Sequence, residues 1–166
     1  MENITCNFVV NGQAEEISLP PNRTLLHMLR ENLLFHGVRE GCSHGECGSC
    51  NVILDGKLVN ACLILAVEAD GLEILTVEGM ADGEDLHPIQ QAFVDESGMQ
   101  CGACTTGMIL STKNLLDANP DPSREEIKDA LAGNFCRCTG YVKIIEAVQF
   151  AVAEIKSNAK SKQEAA

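Results

Sequence analysis

The sequence is poor in aromatic residues, with no tryptophan, one tyrosine and five phenylalanines among 166 residues. A core with so few aromatic side chains must be mainly aliphatic, which favours small folded units held together by an additional element. No run approaches 18 consecutive apolar residues, so no membrane-spanning helix is predicted. The start of the chain, Met1 to Ile4, lacks the basic and apolar regions of an export signal, and the expected compartment is therefore the cytoplasm.

Positive charge is also scarce, because 12 Lys and Arg residues stand against 24 Asp and Glu residues, a formal net charge of −12. A chain of this charge repels polyphosphates, which excludes nucleic acid as the main partner. The sequence has neither a glycine-rich phosphate loop opening a βαβ unit nor paired catalytic carboxylates in a helix motif. We therefore predict no catalytic residues and no substrate site in this chain.

Cysteine, by contrast, is abundant, with nine residues. In a reducing compartment, clustered cysteines indicate metal ligands or redox centres before they indicate disulfides. Cys6 lies on a predicted strand and is interpreted as a buried free thiol. The other eight form a first cysteine set and a second cysteine set, which are Cys42, Cys47, Cys50 and Cys62, and Cys101, Cys104, Cys136 and Cys138.

The first cysteine set has the spacing C-x4-C-x2-C, followed after eleven residues by Cys62. This is the plant-type ferredoxin spacing for a [2Fe–2S] cluster. Gly41, Gly45 and Gly48 allow the tight turns that would aim backbone N–H groups at sulfur. Four cysteines also suit tetrahedral zinc, but structural zinc sites usually take two closely spaced pairs, so the spacing favours iron–sulfur.

The second cysteine set consists of a C-x2-C motif and a C-x-C motif, each just before a predicted helix. Two helix N-termini would stabilise the negative charge of a cluster and donate N–H groups to its sulfurs. Taken alone, this pattern also allows a zinc site or a thioredoxin-like redox pair. The thioredoxin alternative requires a strand before the C-x2-C motif, and none is predicted there.

Short strands are predicted in the first half of the chain. Two hairpins turn at Asn11-Gly12 and at Asp55-Gly56, dipeptides that suit the type I′ turn. Thr24 is the predicted cap of a helix that runs to about Leu34. A last strand is predicted from Leu72 to Val77, where apolar and polar residues alternate.

Helices are predicted in the second half, where the apolar period changes from two to 3.6. The acidic segment from Glu78 to Asp85 is the candidate linker, and Asp85 is the predicted cap of the first of four helices. The last helix is predicted from about Tyr141 to Ile155. The predicted organisation is a domain over 1–78, a helical domain over 79–155 and a flexible tail over 156–166.

Both cysteine sets, with their flanking residues, resemble one family closely. They are similar to the iron–sulfur subunit of the molybdenum hydroxylases, the xanthine dehydrogenase family. The resemblance extends from about Ile4 to Val152. The matching runs are Glu40-Gly41-Cys42, Gly45-Glu46-Cys47-Gly48-Ser49-Cys50, Gln100-Cys101-Gly102-Ala103-Cys104-Thr105, Gly107-Met108 and Gly133-Asn134-Phe135-Cys136-Arg137-Cys138-Thr139-Gly140-Tyr141.

The resemblance implies an α+β protein, with an N-terminal β-grasp, plant-ferredoxin-like domain followed by a C-terminal four-helix bundle. The eight cysteines of the two sets would bind two [2Fe–2S] clusters. The cluster of the helical domain would lie next to a molybdenum–pterin cofactor in a large partner subunit. Gln100 would contact the pterin of this cofactor. The other cluster would lie nearer to a flavin subunit, with FAD, or to another acceptor. The implied function is electron transfer, one electron at a time.

The sequence departs from the family pattern at a few positions. Ala103 replaces a residue that is usually aromatic, and Thr106 replaces a proline. Ser49 and Asn51 stand where alanine and threonine are usual, and new polar groups near sulfur shift reduction potentials. No departure removes a cysteine of either set.

Two alternatives remain open at the level of sequence. The chain could belong to an enzyme like the 4-hydroxybenzoyl-CoA reductases, whose small subunits share these motifs and whose electrons flow inward. It could also be a stand-alone two-cluster carrier. The substrate of a complex and the direction of electron flow are not encoded in this chain.

Overall fold

One mixed sheet of five strands forms in the first half of the chain, and the computed structural model describes residues 2–164. Its strands are β1 (Ile4–Val10), β2 (Gln13–Leu19), β3 (Asn51–Leu54), β4 (Lys57–Asn60) and β5 (Glu73–Leu75). Their order is β2-β1-β5-β3-β4, in which β1 and β5 are parallel and the other neighbours antiparallel. The short β5 therefore joins the two hairpins into one sheet.

Both hairpins turn where the sequence predicts. Asn11 and Gly12 have φ values of 52° and 80°, and Asp55 and Gly56 have values of 48° and 76°. Positive φ at both central residues is the requirement of a type I′ turn, which matches the twist of the flanking strands. The predicted strand from Leu72 to Val77 is shorter in the structure, where only β5 pairs.

A helical segment follows the first hairpin, as predicted, and consists of α1 (Leu25–His27) continued by a π-helical turn (Met28–Asn32). The Thr24 hydroxyl accepts a hydrogen bond from the backbone N–H of His27 at 3.2 Å, which confirms the predicted cap. The π-helical turn was not predicted. The segment buries Leu25 and Leu29 in the same apolar cluster as strands β1, β3 and β5.

Four helices form the second half and pack a second apolar cluster. They are α2 (Pro88–Asp95), α3 (Thr105–Ala118), α4 (Arg124–Leu131) and α5 (Val142–Glu164). The second cluster contains Phe93, Met108 and Val148 from the helices, and also Ile53 of β3. Its neighbour Val52 belongs to the first cluster. Because side chains alternate along a strand, β3 contributes to both cores, and α3 lies against the sheet.

The predicted cap at Asp85 is wrong. Helix α2 begins at Pro88, and His87 caps it, because Nδ1 of His87 accepts a hydrogen bond from the backbone N–H of Ile89 at 3.2 Å. Asp85 instead pairs through its backbone with Asp82, with two N–O distances of 3.0 Å. Proline at the first helical position fixes the helix start, so the residue directly before it becomes the cap.

Helix α5 extends to Glu164, so its predicted end at Ile155 is wrong. Six of the nine residues of the extension are Lys, Ala, Gln or Glu, which favour helix. The last two residues of the predicted tail, 165 and 166, lie outside the described residues. Across 2–164, no helix combines the length and the apolar character needed to cross a membrane.

Candidate metal centres

The first cysteine set is assembled by an irregular loop and by one hairpin. Cys42 and Cys47 lie in the loop between the π-helical turn and β3, and Cys50 directly precedes β3. Cys62 follows β4, and the hairpin returns it to Cys50, whose carbonyl accepts a hydrogen bond from Ala61 N–H at 3.2 Å. The thiols of Cys50 and Cys62 lie close enough for Cys62 to affect the pKa of Cys50. The structure therefore brings the distant fourth cysteine to the loop, as the spacing predicts.

Backbone N–H groups of this loop point at sulfur. They lower the pKa of Cys42 to about 6, with His44 contributing most, followed by Cys47. The N–H of Glu46 lies 3.4 Å from the Cys42 sulfur. Burial raises the pKa of Cys50 to about 11. The loop therefore favours the thiolate form of Cys42, as a metal-binding loop does.

The three predicted glycines are required for different reasons. Gly45 and Gly48 have φ values of 85° and 67°, which residues with a side chain rarely adopt. At Gly41, an added Cβ would lie 2.6 Å from the sulfur of Cys47. At Gly48, an added Cβ would lie 2.5 Å from the carbonyl oxygen of Gly133, so this glycine also permits close approach of the helical half.

The second cysteine set lies where α3 begins and in the loop between α4 and α5. Cys104 is the residue before α3, and Cys136 and Cys138 lie in the loop. The sulfurs of Cys101 and Cys138 are 3.4 Å apart, and the thiol of Cys136 lies close enough to Cys104 to affect its pKa. The two motifs of this set, far apart in sequence, therefore meet at one place.

The environments of the second set differ across it. Burial raises the pKa of Cys104 to about 12. The backbone N–H of Ala103 lowers the pKa of Cys101. Cys101 and Cys138 are exposed, as is the neighbouring Gln100. One edge of this set therefore faces outward beside Gln100, and the opposite edge is buried in the helical core.

Cys136 is subject to opposing effects. Its burial raises the pKa, but hydrogen bonds outweigh this effect, and the net pKa is lowered. The hydroxyl and the backbone N–H of Thr139 contribute most to the lowering, followed by the backbone N–H of Cys138. The sulfur lies 3.2 Å from the Thr139 hydroxyl. Thr139 therefore stabilises a thiolate at this position.

The sulfurs of each set form two close pairs. A [2Fe–2S] cluster takes two thiolates on each iron, whereas one tetrahedral zinc ion holds four thiolates around a single point. Within residues 2–164, no group of three or more His, Cys, Asp or Glu side chains is arranged to hold one metal ion. The pairs are Cys42 with Cys47, Cys50 with Cys62, Cys101 with Cys138, and Cys104 with Cys136.

A cluster also fits the surroundings of the second set. The hydroxyl oxygen of Thr105, directly after Cys104, is buried and has no hydrogen-bond partner. The same holds for the Thr106 hydroxyl. Unpaired hydroxyls are costly in a protein interior, so these two donors, which directly follow Cys104 in the sequence, are available to a group bound at this set.

The remaining sequence-predicted residues lie outside both sets. Cys6 is 1% exposed on β1, which confirms the interpretation as a buried thiol, and burial raises its pKa. Arg137 is exposed.

Tyr141 has a role in the second cysteine loop that the sequence did not indicate. Its hydroxyl accepts a hydrogen bond from Cys136 N–H and donates one to the carbonyl of Asn134, both at 2.9 Å. Tyr141 is the sole tyrosine of the chain and ends the last run that matches the family. Its place in this run is the signal in the sequence that points to a role near the second cysteine set.

Comparisons with known proteins agree with these two sites. The 2Fe-2S iron-sulfur cluster binding domain matches residues 8–75, and the [2Fe-2S] binding domain matches residues 76–149. The nicotinate dehydrogenase small FeS subunit of Eubacterium barkeri is 51% identical over 152 residues, which cover 92% of this chain and 97% of the relative.

Solved structures show the same similarity. A chain of quinoline 2-oxidoreductase from Pseudomonas putida 86 superimposes with a TM-score of 0.89 and 41% identity, covering 93% of this chain and 96% of that one. The aldehyde oxidoreductase of Desulfovibrio gigas superimposes with a TM-score of 0.88 and 44% identity over 93% of this chain. This match covers 17% of that longer chain, so a similar unit there forms part of a larger polypeptide.

Proposed function

We propose that this chain, which belongs to the iron–sulfur small subunits of the molybdenum hydroxylase family, relays single electrons between two partner subunits of an oxidoreductase. One partner would be a large molybdenum–pterin subunit. The other would be a flavin subunit with FAD, or another acceptor. The chain supplies the path between them and has no substrate site of its own.

The observation that carries this proposal is the pairing of the sulfurs within each cysteine set. Two pairs per set match a cluster with two irons and two thiolates on each. We assign Cys42, Cys47, Cys50 and Cys62 to one cluster, and Cys101, Cys104, Cys136 and Cys138 to the other. A bound [2Fe–2S] cluster supplies storage for one electron.

The chain's own residues prepare both sites for that group. N–H groups of the loop around Cys42 stabilise its thiolate, and Thr139 does the same for Cys136. Gly41 leaves the space beside the Cys47 sulfur that a side chain would fill. Thr105 offers a buried hydroxyl that has no protein partner. Residues other than the cysteines thus contribute to both sites.

The exposed edges indicate where the partners dock. We assign the edge formed by Cys101, Cys138 and Gln100 to the molybdenum–pterin subunit, with the Gln100 amide as the contact to the pterin. In this assignment the loop that contains Cys42 is the other end of the relay, and His44 and Glu46 in this loop are exposed. We assign this loop to the flavin subunit or other acceptor.

The proposal includes the organisation of the chain. The sheet-containing part over 1–78 is a β-grasp, ferredoxin-like domain, and the part over 79–155 is a four-helix bundle. We propose that the complex works in the cytoplasm, because clustered free cysteines serve as metal ligands in a reducing compartment.

Metal analysis of the purified chain tests the cluster assignment. We expect a brown protein with ~4 iron and ~4 acid-labile sulfide per chain. A colourless protein that contains zinc would contradict the proposal. Purification of the native complex then tests the subunit assignment, because the chain should co-purify with a large molybdenum-containing polypeptide. A chain that purifies alone with both clusters intact would favour the stand-alone carrier.

The substrate of the complex is decided in the large subunit. The 51% identity with a nicotinate dehydrogenase small subunit makes nicotinate the first substrate to assay. We propose that the purified complex oxidises nicotinate and passes the electrons to an artificial acceptor. An aromatic aldehyde is the comparison substrate in the same assay. Reduction with the aldehyde alone would place the complex with the aldehyde oxidoreductases instead.

A further inference from the structure

Three buried polar side chains link the two cysteine sets. The Asn51 amide donates to the Ser111 hydroxyl at 3.0 Å, and this hydroxyl donates to Oδ1 of Asn134 at 2.7 Å. The Asn134 amide donates in turn to the carbonyl of Gly48 at 3.1 Å. Asn51 is 6% exposed, and Ser111 and Asn134 are each 2% exposed. The link therefore starts at Asn51, the first residue of β3, passes through α3 and the loop between α4 and α5, and returns at Gly48 to the loop before β3.

The direction of each hydrogen bond in this link is fixed. Ser111 accepts from one amide and donates to the other, so both of its functions are used. Asn60 donates to Oδ1 of Asn51 at 2.8 Å, which holds the Asn51 amide with its NH2 group toward Ser111. A buried polar group left without a partner costs ~1–3 kcal/mol, so only one arrangement satisfies all these groups.

Asn51 therefore has a role that its position beside Cys50 does not suggest. The sequence indicated a polar group that acts on a nearby sulfur. In the structure, the Asn51 side chain reaches across to α3 instead. Apolar contact between the two halves brings them together without a fixed orientation, whereas a fully satisfied hydrogen-bond network specifies one orientation.

We propose that Asn51, Ser111 and Asn134 are positioning residues that fix the distance and orientation between the two cluster sites. Electron exchange between two centres depends steeply on both. The inference rests on the proposed function, because the positioning matters only if both sets hold clusters. The link acts through the two loops, and none of its side chains is assigned as a ligand.

The magnetic interaction between the two reduced clusters tests this inference. Each reduced [2Fe–2S] cluster is paramagnetic, and the splitting that one induces in the EPR signal of the other falls with the cube of their separation. The experiment uses the full chain with both clusters, reduced with dithionite. In Ser111→Ala, we expect loss of the resolved splitting, while both cluster signals and the iron content are retained.

Thr112→Val is the matched control. Thr112 is the next residue of α3, is fully buried and donates to the carbonyl of Met108 at 2.8 Å, within its own helix. Its replacement removes the hydrogen bond of a buried hydroxyl on the same helix without touching the link, so the splitting should remain. An equal loss of splitting in Ser111→Ala and Thr112→Val would overturn the inference, because the effect would then be general destabilisation.

Asn51→Ser is the second variant, for the case in which Ser111→Ala takes up fewer clusters. It shortens the side chain and leaves the strand residue polar. Unchanged splitting in either variant, with both clusters present, would overturn the positioning role. A parent chain that shows fewer than two cluster signals would instead overturn the proposed function, so the two failures are distinguishable.

Discussion

The backbone N–H of Phe135 donates a hydrogen bond to the carbonyl oxygen of Cys47, with 3.0 Å between nitrogen and oxygen. Cys47 belongs to the first cysteine set, and Phe135 directly precedes Cys136 of the second. Along this path, one hydrogen bond and short stretches of backbone connect the two sets. Gly48 and Gly107 make this approach possible, because a side-chain carbon on Gly107 would collide with the carbonyl oxygen of Gly48.

Gly107→Ala should therefore push α3 away from the first loop. Alanine inside a helix normally gains ~1 kcal/mol over glycine. Here the added carbon meets backbone that cannot rotate away, and overpacking of this kind costs ~1–3 kcal/mol. We expect a net loss of unfolding free energy, measured by denaturant titration of the full chain.

Gly133→Ala is the control for this change. Gly133 lies in the same interface region, but an added Cβ there would meet nothing within 4 Å. It should be neutral or slightly stabilising, since alanine restricts the unfolded chain. If Gly107→Ala is as stable as Gly133→Ala, the two halves are not held as closely as the structure indicates.

Apart from the cysteine sets, the features that the sequence predicted depend on neighbouring residues. The Asn11-Gly12 turn and the Thr24 cap are satisfied within a few residues, and the cysteine spacing itself encodes the first loop. The hydrogen bond from Asn134 to Gly48 joins residues that are 86 positions apart, and it exists because two backbones approach closely. No local pattern encodes such a contact. The wrong cap at Asp85 shows that two local rules can also compete. Aspartate is a preferred capping residue, but Pro88 takes the first helical position and makes His87 the cap.

Tyr141→Phe should loosen the second cysteine loop. The change keeps the ring but removes the hydroxyl that bridges Cys136 N–H and the Asn134 carbonyl. The loss of two hydrogen bonds predicts ~1–2 kcal/mol of lost stability. It also predicts a shift in the EPR signal of one cluster while the signal of the other stays constant.

The neighbouring substitution Val142→Ala provides the comparison. Val142 is 52% exposed, so its truncation should leave the stability and both signals as in the parent chain. If Tyr141→Phe behaves like Val142→Ala, the hydroxyl does not support the loop.

Substitution of single cysteines should separate the two clusters. We expect Cys101→Ser and Cys136→Ser to abolish the same one of two reduced-state EPR signals. Cys42→Ser should abolish the other, because its sulfur belongs to the other set. Each variant should lose about half of the iron, measured by metal analysis.

Cys6→Ala is the control for these variants. Cys6 is buried in the sheet core and lies outside both sets, so both signals should persist with a modest loss of stability of ~1 kcal/mol. Survival of both signals in Cys101→Ser or Cys136→Ser would disprove the ligand assignment of the second set.

The His87 cap should make the stability of the chain depend on pH near neutrality. Burial, followed by the charge of Lys113, lowers the pKa of His87 below its ordinary value of 6.5. Its Nδ1 must be unprotonated to accept the Ile89 N–H. Above the ordinary value the imidazole is neutral in both states, and the cap contributes in full. As the pH falls below 6.5, the unfolded chain binds the proton more readily than the folded chain, so stability decreases until the pH reaches the pKa of His87 in the folded chain.

His87→Asn keeps a capping acceptor that does not titrate. Its thermal midpoint should therefore fall less than that of the parent chain between about pH 7.5 and about pH 5.5. His36→Asn replaces an exposed histidine and should keep the parent dependence. Identical pH profiles for the parent chain and His87→Asn would show that the cap is not coupled to this titration.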